Sequence, residues 1–443
     1  MHDTAAAWFY MPCVVRGLEL NCCCYKLNYI QPQPHRSIVL QLIIVFCLHI
    51  TINHDCCCRA VDSEPASSSC ISSRKNTPVI FNFGDSNSDT GGLAAATGFN
   101  FGYPDARAFF HQPTGRLCDG RLIIDFLWEN VTNTPQYAYN KYLTPYLESV
   151  EPDFSNGANF AVGGAATLPR YVPFSLDIQV LQFRRFRNRS LYFSGSSSSK
   201  SNNDNHLLLP GGDDFRNALY TFDIGQNDLS AAFTSAVDGR SSYDQVVAKI
   251  PTFIAEIRDA MWAIYQFGGK NFWVHNTGPL GCLPEKLATY RTKTSSSKGD
   301  DDIDEYGCIK SMNEAAKAFN ARLDALCQDL RLQMTKKNNS TAINIVYVDV
   351  YSIKYHLIAS AASYGFENPL MACCGHGGPP YNYDASVKCR DQGQGYNICK
   401  PESLYVSWDG VHYTEAANAI VASKILSAKY STPPLKFSSF FCN

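Results

Sequence analysis

The chain has 443 residues, and its content of 45% hydrophobic and 13% aromatic residues allows a large buried core. A formal net charge of −2 at pH 7 provides no electrostatic argument for a nucleic acid or an anionic membrane as a partner. This length would accommodate two or three domains, although α/β folds often use about 250 residues or more as one domain.

The N-terminal region differs in composition from the rest of the chain. Residues 37–50 (SIVLQLIIVFCLHI) form an apolar run preceded by His35 and Arg36. This run is short for a membrane span and typical of the core of a signal peptide. Two alternatives remain open, since residues 1–36 could be an erroneous extension of the gene model and the apolar run could act as a membrane anchor. We predict three segments before the folded region: an atypical extension at 1–36, a signal peptide core and cleavage region at 37–60, and a mobile leader at 61–77.

Cysteine usage agrees with an oxidising compartment. Four of the 18 cysteines lie within one segment that is rich in Gly, Pro and Tyr and has little helix or strand pattern; they are Cys373, Cys374, Cys389 and Cys399. Such a segment needs cross-links, which disulfides supply in secreted proteins. A zinc site that includes His376 is a weak alternative, because adjacent cysteines do not match the usual spacing of zinc ligands. We predict disulfides, with their connectivity open, and no metal site.

Four sequons for N-glycosylation also fit secretion. They begin at Asn130, Asn188, Asn338 and Asn339. Together with the apolar run and the cysteines, they predict a secreted protein that is located outside the cell or in the cell wall.

From residue 78 onward, strand patterns alternate with helix patterns. Helical periodicity falls between the strands, as in residues 250–264. Strands separated by helix-length segments imply right-handed crossovers and a mainly parallel sheet that is covered on both faces. The five predicted strands cover 78–83, a second strand marked by 145–147 and by 159–164 with its exit loop, 218–224, 271–276 and 343–350.

Two polar stretches, residues 194–206 and 291–305, are predicted to be surface insertions rather than domain boundaries. The chain shows no internal repeat. We therefore predict a single domain at 78–430, followed by a C-terminal tail at 431–443.

The first predicted strand ends at a turn that carries a serine. Its apolar residues lead directly into Gly84-Asp85-Ser86. A strand that stops at glycine and turns sharply can hold one hydroxyl above the carboxyl edge of a parallel sheet, where open α/β folds place their chemistry. The structural alternative is a turn followed by a helix cap. Three distant segments argue against it, because they supply the groups that a serine nucleophile needs.

His412 is the candidate base for Ser86. A serine hydroxyl becomes a strong nucleophile when a base removes its proton, and a carboxylate can orient that base. Of the ten histidines, only His412 follows an aspartate, Asp409, by three residues, although Asp409 taken alone could be a turn residue. The developing oxyanion also needs hydrogen-bond donors. Gly164 can offer a backbone N–H and Asn227 a side-chain amide.

Four blocks follow one another along the chain: Gly84-Asp85-Ser86, Asn159 to Gly164, Gly225-Gln226-Asn227-Asp228, and Asp409-x-x-His412. They resemble the four signature blocks of the GDSL esterase/lipase family, in the plant branch of the SGNH-hydrolase superfamily. The resemblance covers residues 78 to about 430. Asn87 stands where the family name has Leu, and this position is not catalytic. No Gly-x-Ser-x-Gly elbow surrounds Ser86, so the pattern differs from that of the α/β-hydrolases.

The resemblance implies a flavodoxin-like α/β fold, a three-layer α/β/α sandwich with a five-stranded, mainly parallel sheet. It implies Ser86 as the nucleophile, His412 as the general base and then acid, and Asp409 as the orienting carboxylate. The oxyanion hole would consist of the backbone N–H groups of Ser86 and Gly164 and the amide Nδ2 of Asn227.

The function that the resemblance implies is hydrolysis of carboxylic esters through an acyl-enzyme, with no cofactor and no metal. We expect a small-molecule or polysaccharide ester as substrate, no nucleic acid, no stable membrane partner and a monomer. Two alternatives remain. One is an acyltransferase that uses the same triad, with an alcohol in place of water. The other is a catalytically silent carbohydrate-binding or interaction protein on the same fold.

Overall fold

The structure is a computed structural model that divides the chain into two compact units, residues 1–62 and 63–443. Among the residues it describes, no helix is both long enough and apolar enough to cross a membrane. Described are short strands between positions 8 and 26 and the ranges 78–99, 101–132, 142–196, 209–234, 242–293, 301–337, 343–390 and 395–441.

The N-terminal unit contains four short strands that pair as two antiparallel ladders. β1 (Trp8–Tyr10) pairs with β4 (Cys24–Lys26), and β2 (Val14–Val15) pairs with β3 (Leu18–Glu19). All four belong to the predicted extension. The predicted signal peptide core and cleavage region and the predicted leader lie outside the described residues.

The C-terminal unit is built on a six-stranded sheet. The order across it is β12-β9-β8-β7-β5-β6, and every pair is parallel except β12 with β9. The mainly parallel sheet predicted from the sequence is therefore confirmed. The strands are β5 (Ile80–Gly84), β6 (Gly157–Asn159), β7 (Leu219–Asp223), β8 (Asn271–His275), β9 (Asn344–Val348) and β12 (Ser431–Thr432), while β10 (Cys374–Gly375) and β11 (Asn397–Ile398) form a separate pair.

The prediction of five strands was wrong by one. The sixth strand is β12, in which Ser431 and Thr432 pair with Val348 and Tyr347 of β9. Two residues are too few to create a periodic hydrophobic pattern, so nothing local marks this strand. It exists because the chain returns to the free edge of β9.

The second strand of the sheet, β6, overlaps only the end of the segments that marked it. Its ladder covers Gly157–Asn159, and Pro145 forms an isolated parallel bridge with Asn159. Gly157 has φ +103, and a Cβ atom there would lie 1.9 Å from the carbonyl oxygen of Ile80. Because only glycine permits this approach, Gly157 determines where β6 meets β5.

The helices form two groups, one on each face of the sheet. α7 packs against both α3 and α9, and α11 packs against both α2 and α10. The predicted three-layer α/β/α arrangement is therefore confirmed. The α-helices in the described part of this unit are α1 (Gly92–Thr97), α2 (Ile123–Thr132), α3 (Leu176–Ser196), α4 (Gly212–Asn217), α5 (Gln226–Thr234), α6 (Tyr243–Val247), α7 (Ile250–Gln266), α8 (Pro284–Lys293), α9 (Lys310–Lys337), α10 (Val350–Ala359) and α11 (Glu415–Leu426).

Neighbouring residues of a strand pack on opposite faces of the sheet, as the period of two requires. Tyr220 of β7 contacts Phe183 of α3 with ring centroids 5.6 Å apart, and Phe272 of β8 lies on the same side, 5.8 Å from Tyr220. The next residue, Trp273, instead packs edge-to-face on Phe437, 5.1 Å away, in a 3₁₀ helix that contacts α2. All five side chains are fully buried, so aromatic rings fill the core on both faces.

Three disulfides cross-link the described residues, and they pair Cys282 with Cys308, Cys373 with Cys399, and Cys374 with Cys389. The last two close the Gly/Pro/Tyr-rich segment, in which β10 pairs antiparallel with β11. The prediction that disulfides hold this segment is confirmed. The two predicted polar insertions fall partly outside the described residues.

Candidate active site

Ser86 lies in the turn that follows β5, at the carboxyl edge of the sheet. The N–H of Asp85 donates to the carbonyl of Asp223 on β7, and the N–H of Ser88 donates to the carbonyl of Asp85, both at 3.1 Å. These bonds close the turn and attach it to the neighbouring strand. Ser86 itself is 5% exposed, so its hydroxyl is largely removed from bulk water.

His412 and Asp409 reach Ser86 from the turn that precedes α11. His412 Nε2 lies 2.7 Å from Ser86 Oγ, and His412 Nδ1 lies 2.8 Å from Asp409 Oδ2. Asp409 Oδ1 also accepts the backbone N–H of His412 at 2.9 Å, so the turn itself orients the carboxylate. The structure brings together a serine and a histidine that are 326 positions apart.

The electrostatics of the site keep Asp409 ionised. Burial by itself would raise the pKa of Asp409, but the charge and hydrogen bond of His412 and the charge of Arg390 hold it well below its usual range. An ionised Asp409 accepts the Nδ1 hydrogen of His412. In a neutral imidazole, Nε2 then accepts the hydrogen bond of the Ser86 hydroxyl, which is the arrangement that a general base requires.

Two of the three candidate oxyanion donors, Gly164 and Asn227, lie on neighbouring segments. Gly164, with φ +80, lies in the loop after β6, where the N–H of Val162 donates to the carbonyl of Gly84 at 3.3 Å. Asn227 is the second residue of α5, and its Nδ2 donates to the carbonyl of Ala165 at 2.8 Å. An amide nitrogen has two hydrogens, so one N–H of Asn227 can serve another acceptor.

A buried group of charged and polar side chains surrounds the base of the turn. Burial and the charge of Asp223 raise the pKa of Asp85 to about 7, and Asp85 Oδ2 has no hydrogen-bond partner among the described residues. His275 Nδ1 lies 3.1 Å from Asp223 Oδ2, and its Nε2 accepts the indole N–H of Trp273 at 3.0 Å. Both ring nitrogens of His275 are therefore engaged, so His412 is the candidate base.

Two residues of the site escaped the sequence analysis. Arg390 Nη2 donates to Asp409 Oδ2 at 2.9 Å, and Arg390 Nε donates to Asp105 Oδ2 at 2.7 Å. Asp105 and Arg390 are 285 positions apart, and no spacing rule connects them. The one local signal is that Arg390 directly follows Cys389 in the segment predicted to need disulfides.

Two of the four sequon asparagines can be located. Asn188 is exposed on α3, and Asn130 is half-buried on α2. Asn338 and Asn339 lie outside the described residues. Within the described ranges, no group of three or more His, Cys, Asp or Glu side chains is arranged to hold a metal ion.

Comparison with known proteins places this geometry in context. The model of the GDSL-like lipase/acylhydrolase family matches residues 80–425. A GDSL esterase/lipase of Arabidopsis thaliana is 51% identical over 82% of this chain and 90% of its own length. GDSL esterase/lipase LIP-4 of the same plant is 49% identical over 82% and 89%. A relative named alpha-L-fucosidase 3, also from Arabidopsis thaliana, is 41% identical over 79% and 90%.

Proposed function

The chain belongs to the GDSL-like lipase/acylhydrolase family and is a carboxylic-ester hydrolase, and we propose that it acts through an acyl-enzyme on Ser86. The observation that carries this mechanism is the 2.7 Å contact between His412 Nε2 and Ser86 Oγ, continued by the 2.8 Å contact to Asp409. These are the distances at which a base can remove a hydroxyl proton and a carboxylate can orient the base.

The reaction proceeds in two halves. Ser86 Oγ attacks the ester carbonyl while its proton moves to His412 Nε2, and the backbone N–H groups of Ser86 and Gly164 and the amide of Asn227 stabilise the oxyanion. His412 then protonates the leaving alcohol, and the acyl group stays on Ser86. In the second half, His412 removes a proton from water, which attacks the acyl-enzyme. The bond from the acyl group to Ser86 Oγ then breaks, the acid leaves, and His412 returns the proton to Ser86 Oγ.

A fluorophosphonate that reacts with activated serines tests the nucleophile. Peptide mass mapping of the folded protein should find one adduct, on Ser86, and Ser86→Ala should lose it together with ester hydrolysis. Ser88→Ala is the matched control from the same turn. The Ser88 hydroxyl is bonded to Asn82 Nδ2 at 3.0 Å, and its removal should leave the adduct in place. A folded protein without an adduct on Ser86 would point to a catalytically silent binding protein.

With His412 as the base, ester hydrolysis should slow at acidic pH. Imidazole must be neutral to accept the Ser86 proton, and His412 Nε2 lies 2.7 Å from Ser86 Oγ. The rate of hydrolysis should therefore decline as the pH falls and His412 takes up a proton. A rate that stays constant through the protonation range of a histidine, with chemistry rate-limiting, would exclude His412 as the base.

The relative named a fucosidase suggests glycoside hydrolysis as a second candidate function. Glycosidases usually act with two carboxyl groups that flank the sugar bond. The site described above instead couples one serine to one histidine. A 4-nitrophenyl α-L-fucoside and a 4-nitrophenyl acetate, tested on the parent and on Ser86→Ala, separate the two. We expect turnover of the acetate alone, and loss of that turnover in the variant.

We further propose that the protein is secreted to the cell exterior or wall and acts as a monomer on a small-molecule or polysaccharide ester. The three disulfides support an oxidising compartment, because such bonds are rare in the cytosol. The N-terminal sequence and glycan content of protein recovered from the medium test secretion. Recovery with residues 37–50 retained would contradict a cleaved signal peptide.

Colorimetric assay of acetate and longer acyl esters would identify the substrate, and an added alcohol acceptor would reveal transacylation.

A further inference from the structure

Arg390 lies between two buried carboxylates, and one of them is Asp409 of the candidate triad. Its Nη2 donates to Asp409 Oδ2 at 2.9 Å and to Asp105 Oδ1 at 3.2 Å, and its Nε donates to Asp105 Oδ2 at 2.7 Å. The planar guanidinium presents several donors in a fixed fork, so one side chain can hold two carboxylates in a defined geometry. Asp409 is thus held by His412 on one side and by Arg390 on the other.

The second carboxylate, Asp105, is itself immobilised. The indole N–H of Trp408 donates to Asp105 Oδ1 at 2.8 Å, and Trp408 is fully buried directly before Asp409 in the chain. The Asp105 side chain is 1% exposed, that of Asp409 6%, and that of Arg390 18%. Two carboxylates at this depth would repel each other, and an arginine between them compensates both charges.

The backbone conformation of Arg390 is unusual, which is a second observation in favour of a functional role. Arg390 has φ +69, a left-handed conformation that residues other than glycine rarely adopt. Such a conformation persists where the surrounding contacts determine it, and it is common at functional sites. The preceding residue, Cys389, is bonded to Cys374, so a disulfide anchors the chain one residue before the strained position.

We propose that Arg390 is a positioning residue for the ester hydrolysis: by bridging Asp409 to Asp105, it fixes the carboxylate against His412 Nδ1. This inference rests on the proposed role of Ser86, His412 and Asp409. In the described part of the chain, the Arg390 side chain is hydrogen-bonded to Asp409 and Asp105 and not to Ser86 or His412, so it acts through Asp409. It also places a positive charge beside Asp409, so the carboxylate that faces the imidazole is partly compensated.

The sign of the charge effect follows from the groups around the imidazole. Removal of the positive charge of Arg390 leaves the Asp409 carboxylate beside the imidazole uncompensated, and an uncompensated carboxylate favours a protonated neighbour. The acid limb of the pH–rate profile should then move to higher pH. The pair concerned is His412 and Asp409. Asp85 and Asp409 face His412, and Arg390, Asp105 and Tyr383 face Asp409. Lys354 in turn faces Asp85.

The central experiment compares Arg390→Gln with the parent enzyme on a soluble ester. We expect kcat to fall by roughly tenfold or more with KM nearly unchanged. A base that is no longer held in position stabilises the transition state less, whereas substrate binding does not depend on it. We expect the acid limb to move upward by roughly one pH unit, the effect of removing one nearby charge at a partly shielded site. Arg390→Lys keeps the charge but cannot form the fork. It should therefore keep the parental acid limb and recover only part of kcat.

Arg121→Gln is the matched control. Arg121 also bridges two carboxylates, Glu415 at 2.6 Å and Glu129 at 3.0 Å, but neither carboxylate belongs to the triad. Its loss should lower the melting temperature and leave the acid limb unchanged. The double variant Asp105→Asn/Arg390→Gln removes the uncompensated carboxylate. It should regain melting temperature over Arg390→Gln and keep the displaced acid limb.

Two outcomes overturn the inference. One is a folded Arg390→Gln enzyme with the parental kcat and the parental acid limb, and the other is an equal displacement of that limb in Arg121→Gln. Phosphonate labelling of the parent distinguishes these results from a failure of the proposed mechanism, which would appear as no adduct on Ser86. In that case, NMR titration of the His412 imidazole still decides the role of Arg390. Its signals should titrate at higher pH in Arg390→Gln, and an unchanged titration would contradict the bridge.

Discussion

At the residue scale, Asn227 has two hydrogen-bonding tasks available on one amide. One N–H donates to the carbonyl of Ala165 at 2.8 Å, which ties the start of α5 to the loop that contains Gly164. The other is available to a developing oxyanion. The first task stabilises the fold, and the second would stabilise a transition state, so the two can be separated by measuring stability and turnover on one variant.

Asn227→Ala should lower the turnover rate far more than it weakens substrate binding. If the amide donates to the oxyanion, kcat should fall by roughly 10²–10³ while KM changes little, which is the usual cost of one such donor. Loss of the bond to Ala165 should also lower the free energy of unfolding by about 1 kcal/mol. Steady-state kinetics and a melting curve on the same preparation measure both effects.

Thr167→Val is the matched control for Asn227→Ala. The Thr167 hydroxyl donates to Asp228 Oδ1 at 2.6 Å and fastens the same loop to the same helix. Its loss should reduce stability and preserve kcat. If Asn227→Ala behaved in the same way, Asn227 would be a structural residue, and the oxyanion would depend on backbone donors alone.

Asp85 makes stability depend on pH. Burial and the charge of Asp223 raise the pKa of Asp85 in the folded protein to about 7, well above that of an aspartate in an unfolded chain. The folded state therefore binds a proton that the unfolded state releases. The corresponding stability is fully present below about pH 4 and is lost as the pH rises through about 7.

Asp85→Asn should reduce this pH dependence. The amide oxygen can still accept from Asn87, whose N–H donates to Asp85 Oδ1 at 2.9 Å in the parent. Free energies of unfolding from urea titrations between pH 4 and pH 8 should decline less steeply in the variant than in the parent. Parallel curves would mean that Asp85 is ionised across this range.

At the element scale, the disulfide-closed segment from Cys373 to Cys399 connects the loop that contains Arg107 to the turn that carries Asp409 and His412. Arg107 Nη1 donates to the carbonyl of Cys399 at 2.8 Å, and its guanidinium lies 5.2 Å from the ring centroid of Trp408. The segment also carries Arg390 to Asp409. A loop without regular structure can hold a side chain this accurately because cross-links and buried ion pairs replace the missing secondary structure.

Removing the Cys374–Cys389 disulfide should affect both stability and the base. Cys374→Ser/Cys389→Ser opens a loop with a sequence separation of 15, which should cost about 3 kcal/mol of stability. It also frees the residue that precedes Arg390, so the acid limb should move as in Arg390→Gln. A melting curve and a pH–rate profile measure the two effects.

The Cys282–Cys308 disulfide serves as the comparison. Its sequence separation is 26, so its loss should cost a similar amount of stability, about 3 kcal/mol. It does not anchor Arg390, and the pH–rate profile of Cys282→Ser/Cys308→Ser should match that of the parent. A displaced acid limb in this variant as well would show that general loosening, and not Arg390, moves the profile.

At the scale of the whole molecule, the C-terminal residues contribute to the core. β12 completes the sheet beside β9, and Phe437 is fully buried against Trp273. The domain boundary at residue 430 and the C-terminal tail at 431–443 stay a prediction from sequence. The contacts of Phe437 are those of a core residue, so a chain shortened before Phe437 would lose stability.

A chain that ends at Tyr430 should be markedly less stable than the full chain. Removing Phe437 alone should cost about 3–5 kcal/mol, as large-to-small changes at buried aromatic residues do. Phe437→Ala should reproduce most of the loss, and Ser439→Ala, at an exposed position of the same 3₁₀ helix, should show none. Equal melting temperatures for the shortened and full chains would establish 431–443 as a dispensable tail.

Local sequence patterns are sufficient to predict the five parallel strands, the position of Ser86 after β5, and the Asp409–His412 spacing. Each of these depends on neighbouring residues: an apolar run of strand length, a turn that begins at glycine, and two side chains three positions apart. The four ordered blocks then added the family and the fold. Such local signals survive in the sequence because they specify conformations that form within a few residues.

Which distant groups come into contact is visible in the folded protein and not in the sequence. The sixth strand, the pairing of the four clustered cysteines, and the bridge from Asp105 through Arg390 to Asp409 all join segments that no local pattern relates. Their formation depends on the path of the chain after the sheet has formed, when burial makes an unpaired charge costly and a close partner favourable. For this reason, the sequence indicates the nucleophile and the base, while the arginine beside them is visible only in the folded protein.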